Sequence, residues 1–204
     1  MYRVICLLML AATTGCYSNQ SVEETDQVAV AAPAENLESP EERGANMETR
    51  QDISWEIVEI FDFSNAKVNK TMPLYATRQQ FENAWGQADS LATPDYDAVC
   101  AAQFDDEFEY LYTHGSRFER CRDSVVCDLY NFQPGTVLTS GNITLSAATS
   151  WQDAKKMFPM AVQQAENEGR SDVITLRDAK ESDAGIRLHF RDGKLVSISY
   201  NLPC

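Results

Sequence analysis

The amino-acid sequence predicts an α+β protein made of two tandem units of short helix plus antiparallel strands, with the helices packed on one face of the sheet. Three observations carry that expectation. Two capped helix starts lie 73 residues apart, at Thr77 and Ser150. Alternating apolar and polar runs, broken at His114-Gly115 and Asp192-Gly193, read as hairpins. The 152 residues from Ile53 to Cys204 are long enough to bury one core, roughly 70% of their unfolded surface.

The N-terminus comes first. Met1-Tyr2-Arg3 precedes the apolar run Val4–Ala12, a secretory signal pattern too short to span a bilayer as a mature helix. The run closes on Thr13-Thr14-Gly15-Cys16, which resembles the lipobox of bacterial lipoproteins, with Thr13 where that pattern usually has Leu. The resemblance implies cleavage after residue 15 and acylation of Cys16, palmitate included, so that the mature chain is anchored to a membrane rather than spanning it. Several acyl chains anchor stably, since each buried CH₂ contributes ~0.8 kcal/mol and one chain alone is marginal. The implied location is the bacterial cell envelope, on the outer membrane, facing the periplasm or the cell surface.

Residues 17–52 hold nine acids and two bases, with little to bury beyond Val22 and Val28–Ala32. Such a composition predicts a disordered acidic linker. As a coil of 36 residues it reaches ~30–36 Å, enough to hold a domain off a membrane.

In the folded part, Thr77-Arg78-Gln79-Gln80 is a Thr-x-x-Gln capping box. The helix it opens stops at Gly86 and presents Phe81, Ala84 and Trp85 on one side. Ser150-Trp151-Gln152-Asp153 opens a second helix, with Ala154, Met157 and Phe158 on its apolar side and Pro159 as its stop. Shifting the chain by 73 residues lays Asn69–Met72 on Asn142–Leu145 and Thr77 on Ser150; a shift of 78 lays Phe108, Tyr110, Tyr112 and Gly115 on Ile186, Leu188, Phe190 and Gly193. The units so defined run from about 66 to 132 and from 139 to 203.

Hairpin register then assigns faces. A three-residue loop at Arg191-Asp192-Gly193 pairs Leu188 with Val196 and Ile186 with Ile198, gathering the apolar set. Arg187, His189, Leu195, Ser197 and Ser199 are left on the opposite face. The same logic at Thr113-His114-Gly115 pairs Tyr110 with Phe118 and turns Glu109, Leu111, Arg117 and Glu119 outward. With helices covering the apolar face, Arg117, Glu119, Arg187, His189 and Ser197 become candidates for a binding surface.

The two helix starts and the closing Phe190-Arg191-Asp192-Gly193-Lys194-Leu195 resemble the fold shared by the beta-lactamase inhibitor protein and the SmpA/OmlA outer-membrane lipoproteins. The resemblance covers roughly residues 66–203 and implies a non-catalytic binding protein. No inhibitory loop transfers residue by residue. The acidic sheet and the duplicated unit also depart from the single-repeat assembly lipoproteins.

Chemistry is sparse by comparison. A formal charge of −14, from 31 acids against 17 bases, argues against nucleic acid as partner. Cys100, Cys121, Cys127 and Cys204 suit two disulfides in an exported chain, with three connectivities open. A tight Arg122-Asp123 turn would set Cys121 and Cys127 on opposite faces and disfavour that bond. The sequence has no CxxC, no Gly-x-Ser-x-Gly elbow, no phosphate-cradling loop and no zinc-ligand spacing for His114 or His189, so it calls for no metal, cofactor or catalytic residue. The expected role is a membrane-anchored envelope lipoprotein that binds a protein or other envelope macromolecule. An envelope hydrolase with an unfamiliar site, or an inhibitor of a secreted enzyme, are the alternatives.

Overall fold

The computed structural model describes residues 52–204. The expected signal peptide, the lipidated Cys16 and nearly all of the acidic linker lie outside the described residues. The chain is a strand-rich α/β protein with antiparallel sheets and, among the described residues, three α-helices. A 3-10 turn at Trp55–Ile57 leads to β1 (Lys67–Val68), β2 (Met72–Pro73) and β3 (Tyr75–Thr77). Helix α1 (Arg78–Trp85) and β4 (Ser90–Ala92) follow, and then a meander of β5 (Glu109–Thr113), β6 (Ser116–Cys121) and β7 (Ser124–Asn131). The hairpin β8 (Val137–Ser140) and β9 (Ile143–Ser146) precedes α2 (Trp151–Met157) and α3 (Pro159–Asn167). Strands β10 (Val173–Arg177), β11 (Gly185–Arg191) and β12 (Lys194–Asn201) close the chain.

The larger sheet has the order β10-β11-β12-β7-β6-β5-β4, with β3 pairing the first half of β7 where β12 pairs the second. A four-stranded sheet, β2-β1-β8-β9, accompanies it. One continuous core joins Phe61, Phe63, Val68, Leu138 and Leu145 to Phe81, Phe118, Leu188 and Ile198. Helix α1 contributes through Phe81 and Trp85, whose rings meet Phe118 edge-on at 5.0 and 5.1 Å between centroids.

The caps form as their residue types require. Gln80 N–H donates to Thr77 Oγ1 at 3.2 Å and Thr77 N–H to Gln80 Oε1 at 3.0 Å; Asp153 and Ser150 repeat this reciprocal arrangement. The second helix stops at Met157, just before Pro159 as expected, and Pro159 also opens α3, where its missing N–H costs nothing. The carboxylate of Glu59, a hundred residues upstream, accepts the Met160 and Ala161 N–H groups at 2.8 and 3.0 Å and caps that helix.

Both hairpin registers differ from expectation. Asp192 and Gly193, at φ 52° and 71°, make a two-residue turn that pairs Leu188 with Ile198. A bulge restores the apolar face: Phe190 pairs Leu195 and His189 pairs Ser197, so Val196 is the extra residue. Leu195 is therefore core, 1% exposed, and Val196 is only half-buried. His114 and Gly115, at φ 48° and 74°, form the corresponding turn, with Thr113 opposite Ser116. Leu111 pairs Phe118 inside the core, and Glu109 shares their face, whereas Tyr110 sits opposite Glu119. In both turns a left-handed residue ahead of glycine supplies the twist that an antiparallel pair requires.

Candidate functional site

Strand alternation sets Arg117 and Glu119 on the face of β6 opposite Phe118, and Arg187 and His189 on the face of β11 opposite Leu188. Tyr110 and Tyr112 from β5 join them across the ladder. All five candidate residues thus occupy that face as expected in direction, but they differ in access. Arg187 is exposed, His189 is half-buried, and the Arg117 side chain keeps 36% of its surface. Glu119 is 3% exposed and Ser197 is 8% exposed, so neither presents a free contact surface. Ser197 is small and sits in a central strand, flanked by Asn131 and His189 across the ladders.

Glu119 is covered by the segment between β4 and β5. The backbone N–H of Gln103 donates to Glu119 Oε2 at 2.8 Å, and the Gln103 side-chain amide donates to the Cys127 carbonyl at 2.9 Å. Its amide oxygen accepts from the Tyr75 hydroxyl. One glutamine therefore plugs a recess formed by β3, β6 and β7. Burial pushes the Glu119 carboxyl up to about 7, with Asp128 adding to the rise while the Gln103 N–H and Arg117 oppose it. Burial likewise lifts the Tyr75 phenol well above its ordinary value.

Beside this recess, Arg117 Nε donates to Asp128 Oδ2 at 2.5 Å, and its guanidinium lies over the Tyr110 ring at 4.5 Å from the centroid. A second bulge makes the pair possible. Phe118 faces Cys127 and Arg117 faces Leu129, which leaves Asp128 as the inserted residue. Burial raises the Asp128 carboxyl while Arg117 holds it down.

On the other half of the face, His189 Nε2 and Ser199 Oγ lie 3.0 Å apart as diagonal neighbours on β11 and β12. Burial and the nearby Arg187 depress the imidazole, while Asp172 opposes them. A neutral imidazole beside a hydroxyl is the start of a nucleophile–base pair. Two open clefts, of about 660 and 700 Å³, lie elsewhere. One is lined by Lys67, Met72, Tyr75 and Gln80, the other by Arg78, Tyr96, Arg120 and Arg122; neither contains His189 or Ser199.

The cysteines depart from the two-bond expectation. Cys100 and Cys204 form a disulfide across 104 residues, with Cα atoms 5.6 Å apart. Cys121 and Cys127 are buried free thiols. Arg122 and Asp123 are the two turn residues, Cys121 faces Ser124, and Cys127 faces Phe118, so the two side chains point to opposite sides of the hairpin. His114 lies in its turn, as expected, with its N–H donating to Asp89 Oδ2 at 2.9 Å. No group of His, Cys, Asp or Glu among the described residues is arranged to hold a metal ion, and no helix among them is long and apolar enough to cross a membrane.

Gln103, Tyr75 and Asp128 were not singled out by sequence reasoning, and Ser199 was placed on the open face without being made a candidate. Gln103 sits in a stretch without periodicity, and Asp128 reaches Arg117 only because of a bulge that its strand pattern does not announce. Ser199 alone had a signal, the alternation that also placed Ser197. No protein-family model, characterised protein or solved structure matches the chain.

Proposed function

We propose that this chain is a lipid-anchored lipoprotein of the bacterial envelope that binds another macromolecule, a protein above all, through the sheet face carrying Arg117, Arg187 and His189. The observation that carries this reading is the composition of that face. It gathers Tyr110, Tyr112, Arg117, Asn131, Arg187 and Ser199, the Tyr-, Arg- and small-polar-rich mixture typical of recognition surfaces, on a protein otherwise dominated by acids. In this reading the helices pack on the other face only, and Cys16 supplies the anchor to the outer membrane. The likeness to the beta-lactamase inhibitor and SmpA/OmlA fold belongs to the same proposal.

A duplicated architecture supports it. At an offset of 70 residues β7 lies on β12, both eight residues long and both ending Tyr-Asn, at Tyr130-Asn131 and Tyr200-Asn201. Leu129 pairs with its own counterpart Ser199, and Val68 with its counterpart Leu138, as a twofold relation between units demands. The hairpin matching β11–β12 is then β6–β7, in place of the β5–β6 match that the 78-residue shift implied. Arg117 and Arg187 become equivalent positions, as do Glu119 and His189.

The test is a crosslinked pull-down from source-cell membranes with the full lipidated chain, beside a variant carrying Arg187→Glu and His189→Ala. Loss of a captured partner by the variant, with unfolding midpoints unchanged, supports the face as the binding surface. Equal capture by both chains would refute it. Cys16→Ser should release the chain from the membrane fraction.

The contact between His189 and Ser199 favours one second reading, an envelope hydrolase of esters or amides with Ser199 as nucleophile and His189 as base. That reading requires labelling of Ser199 by a fluorophosphonate probe, lost in Ser199→Ala. Absence of labelling at pH 8 removes it.

A further inference from the structure

The segment between β4 and β5 is bound at four places, one of them the exposed ion pair of Asp106 with Arg122 at 2.9 Å. At its root, the Tyr96 hydroxyl donates to the Phe108 carbonyl at 2.7 Å and accepts from the Phe108 N–H at 3.0 Å. In its middle, Gln103 fills the recess over Glu119 through contacts with Glu119, Cys127 and Tyr75. Between these, Cys100 is tied to Cys204 beyond the end of β12. Most of the segment is solvent-exposed, and both cysteines of the bond are exposed, whereas the free thiols of Cys121 and Cys127 are buried, 7% and 0% exposed. An exposed disulfide joining a surface loop to the stretch after β12 is open to attack by an external thiolate, and exposed bonds are the labile ones.

We infer that residues 97–105 form a redox-latched strap, and that reduction of the Cys100–Cys204 disulfide releases it and uncovers the recess of Glu119, Tyr75 and the Cys127 carbonyl. The reductant is a dithiol. Its thiolate attacks one sulfur of the bond, breaking S–S, forming a mixed disulfide and expelling the other cysteine as a thiolate, which takes up a proton. The second thiol of the reductant then displaces the remaining cysteine. The protein gains two thiols, two electrons and two protons, and the dithiol leaves as its own disulfide. The Tyr96–Phe108 contacts hold the root, so release frees the middle of the segment without unpairing β5 from β6. This inference rests on the fold and not on the identity of any partner; release would enlarge the face on which Arg117 and Tyr110 already lie.

Hydrogen–deuterium exchange on the full chain tests it in three states: oxidised, reduced with dithiothreitol, and Cys204→Ser. The Gln103 amide, whose N–H is held by Glu119, should exchange roughly 10-fold or more faster in the reduced and variant forms, because release opens that contact locally. Strands β10 and β11 should lose less protection than Gln103, and re-oxidation with oxidised glutathione should restore that of Gln103. Unchanged protection at Gln103 after verified reduction would overturn the strap. A rise across the whole sheet as large as that at Gln103 would overturn it as well, because the bond would then hold the fold and not a latch.

Discussion

Replacing Glu119 with Gln should make the protein more stable at pH 8 and leave it nearly unchanged at pH 4.5. The carboxyl is 3% exposed and its folded value is raised from 4.5 to about 7. The folded state therefore holds the proton more tightly than the unfolded chain does. Its stabilising contribution is complete below 4.5 and is lost as pH rises through 7. At about 1.4 kcal/mol per tenfold difference in affinity, the ionised carboxylate costs on the order of 3 kcal/mol above pH 7. Glutamine keeps an acceptor for the Gln103 N–H and removes the titration. Asp128, Arg117, Tyr75, Tyr110 and Cys127 surround the group and are common to both proteins, so their own titrations largely cancel in the difference. Urea unfolding of the oxidised protein at pH 4.5, 6, 7 and 8 measures it. The variant should gain roughly 2–3 kcal/mol across that range, or about 4–12 °C in Tm for a domain of this size. A wild-type-minus-variant difference that does not move between pH 4.5 and pH 8 would refute the reasoning, because burial would then not be straining the carboxylate.

Other substitutions probe separate contacts. Arg117→Ala strands Asp128 half-buried and should cost about 1–3 kcal/mol by urea unfolding, less than a fully buried pair because the arginine is partly solvated. Adding Asp128→Asn should recover much of that loss, and a double-mutant cycle showing no coupling would refute the pair's role. Phe118→Ala removes the ring that meets both Phe81 and Trp85 in the core and should cost about 3–5 kcal/mol by the same assay. Gly193→Ala places a Cβ at φ 71° with open space around it, so only backbone strain is felt, about 1–2 kcal/mol; Gly193→Asn should cost less.

What the sequence alone determined was local. Thr77 and Ser150 cap helices because a hydroxyl followed three residues later by an acceptor satisfies two N–H groups at once, and neither needs the rest of the chain. His114-Gly115 and Asp192-Gly193 mark turns because they tolerate positive φ. Arg187 and His189 were placed on a common face by alternation, which holds wherever a strand is regular.

Tertiary structure decided the rest. The two-residue turns at His114-Gly115 and Asp192-Gly193 put Leu111 and Leu195 in the core against the expected pattern, and the bulge at Val196 keeps Leu188 opposite Ile198. Pro159 began a helix because Glu59, distant in sequence, was there to cap it. Four cysteines allowed three pairings; only the approach of the stretch after β12 to the β4–β5 segment selected Cys100 with Cys204. Glu119 is buried for the same reason. A strand pattern tells which way a side chain points, but whether something lies above it depends on a segment whose own sequence has no period to read.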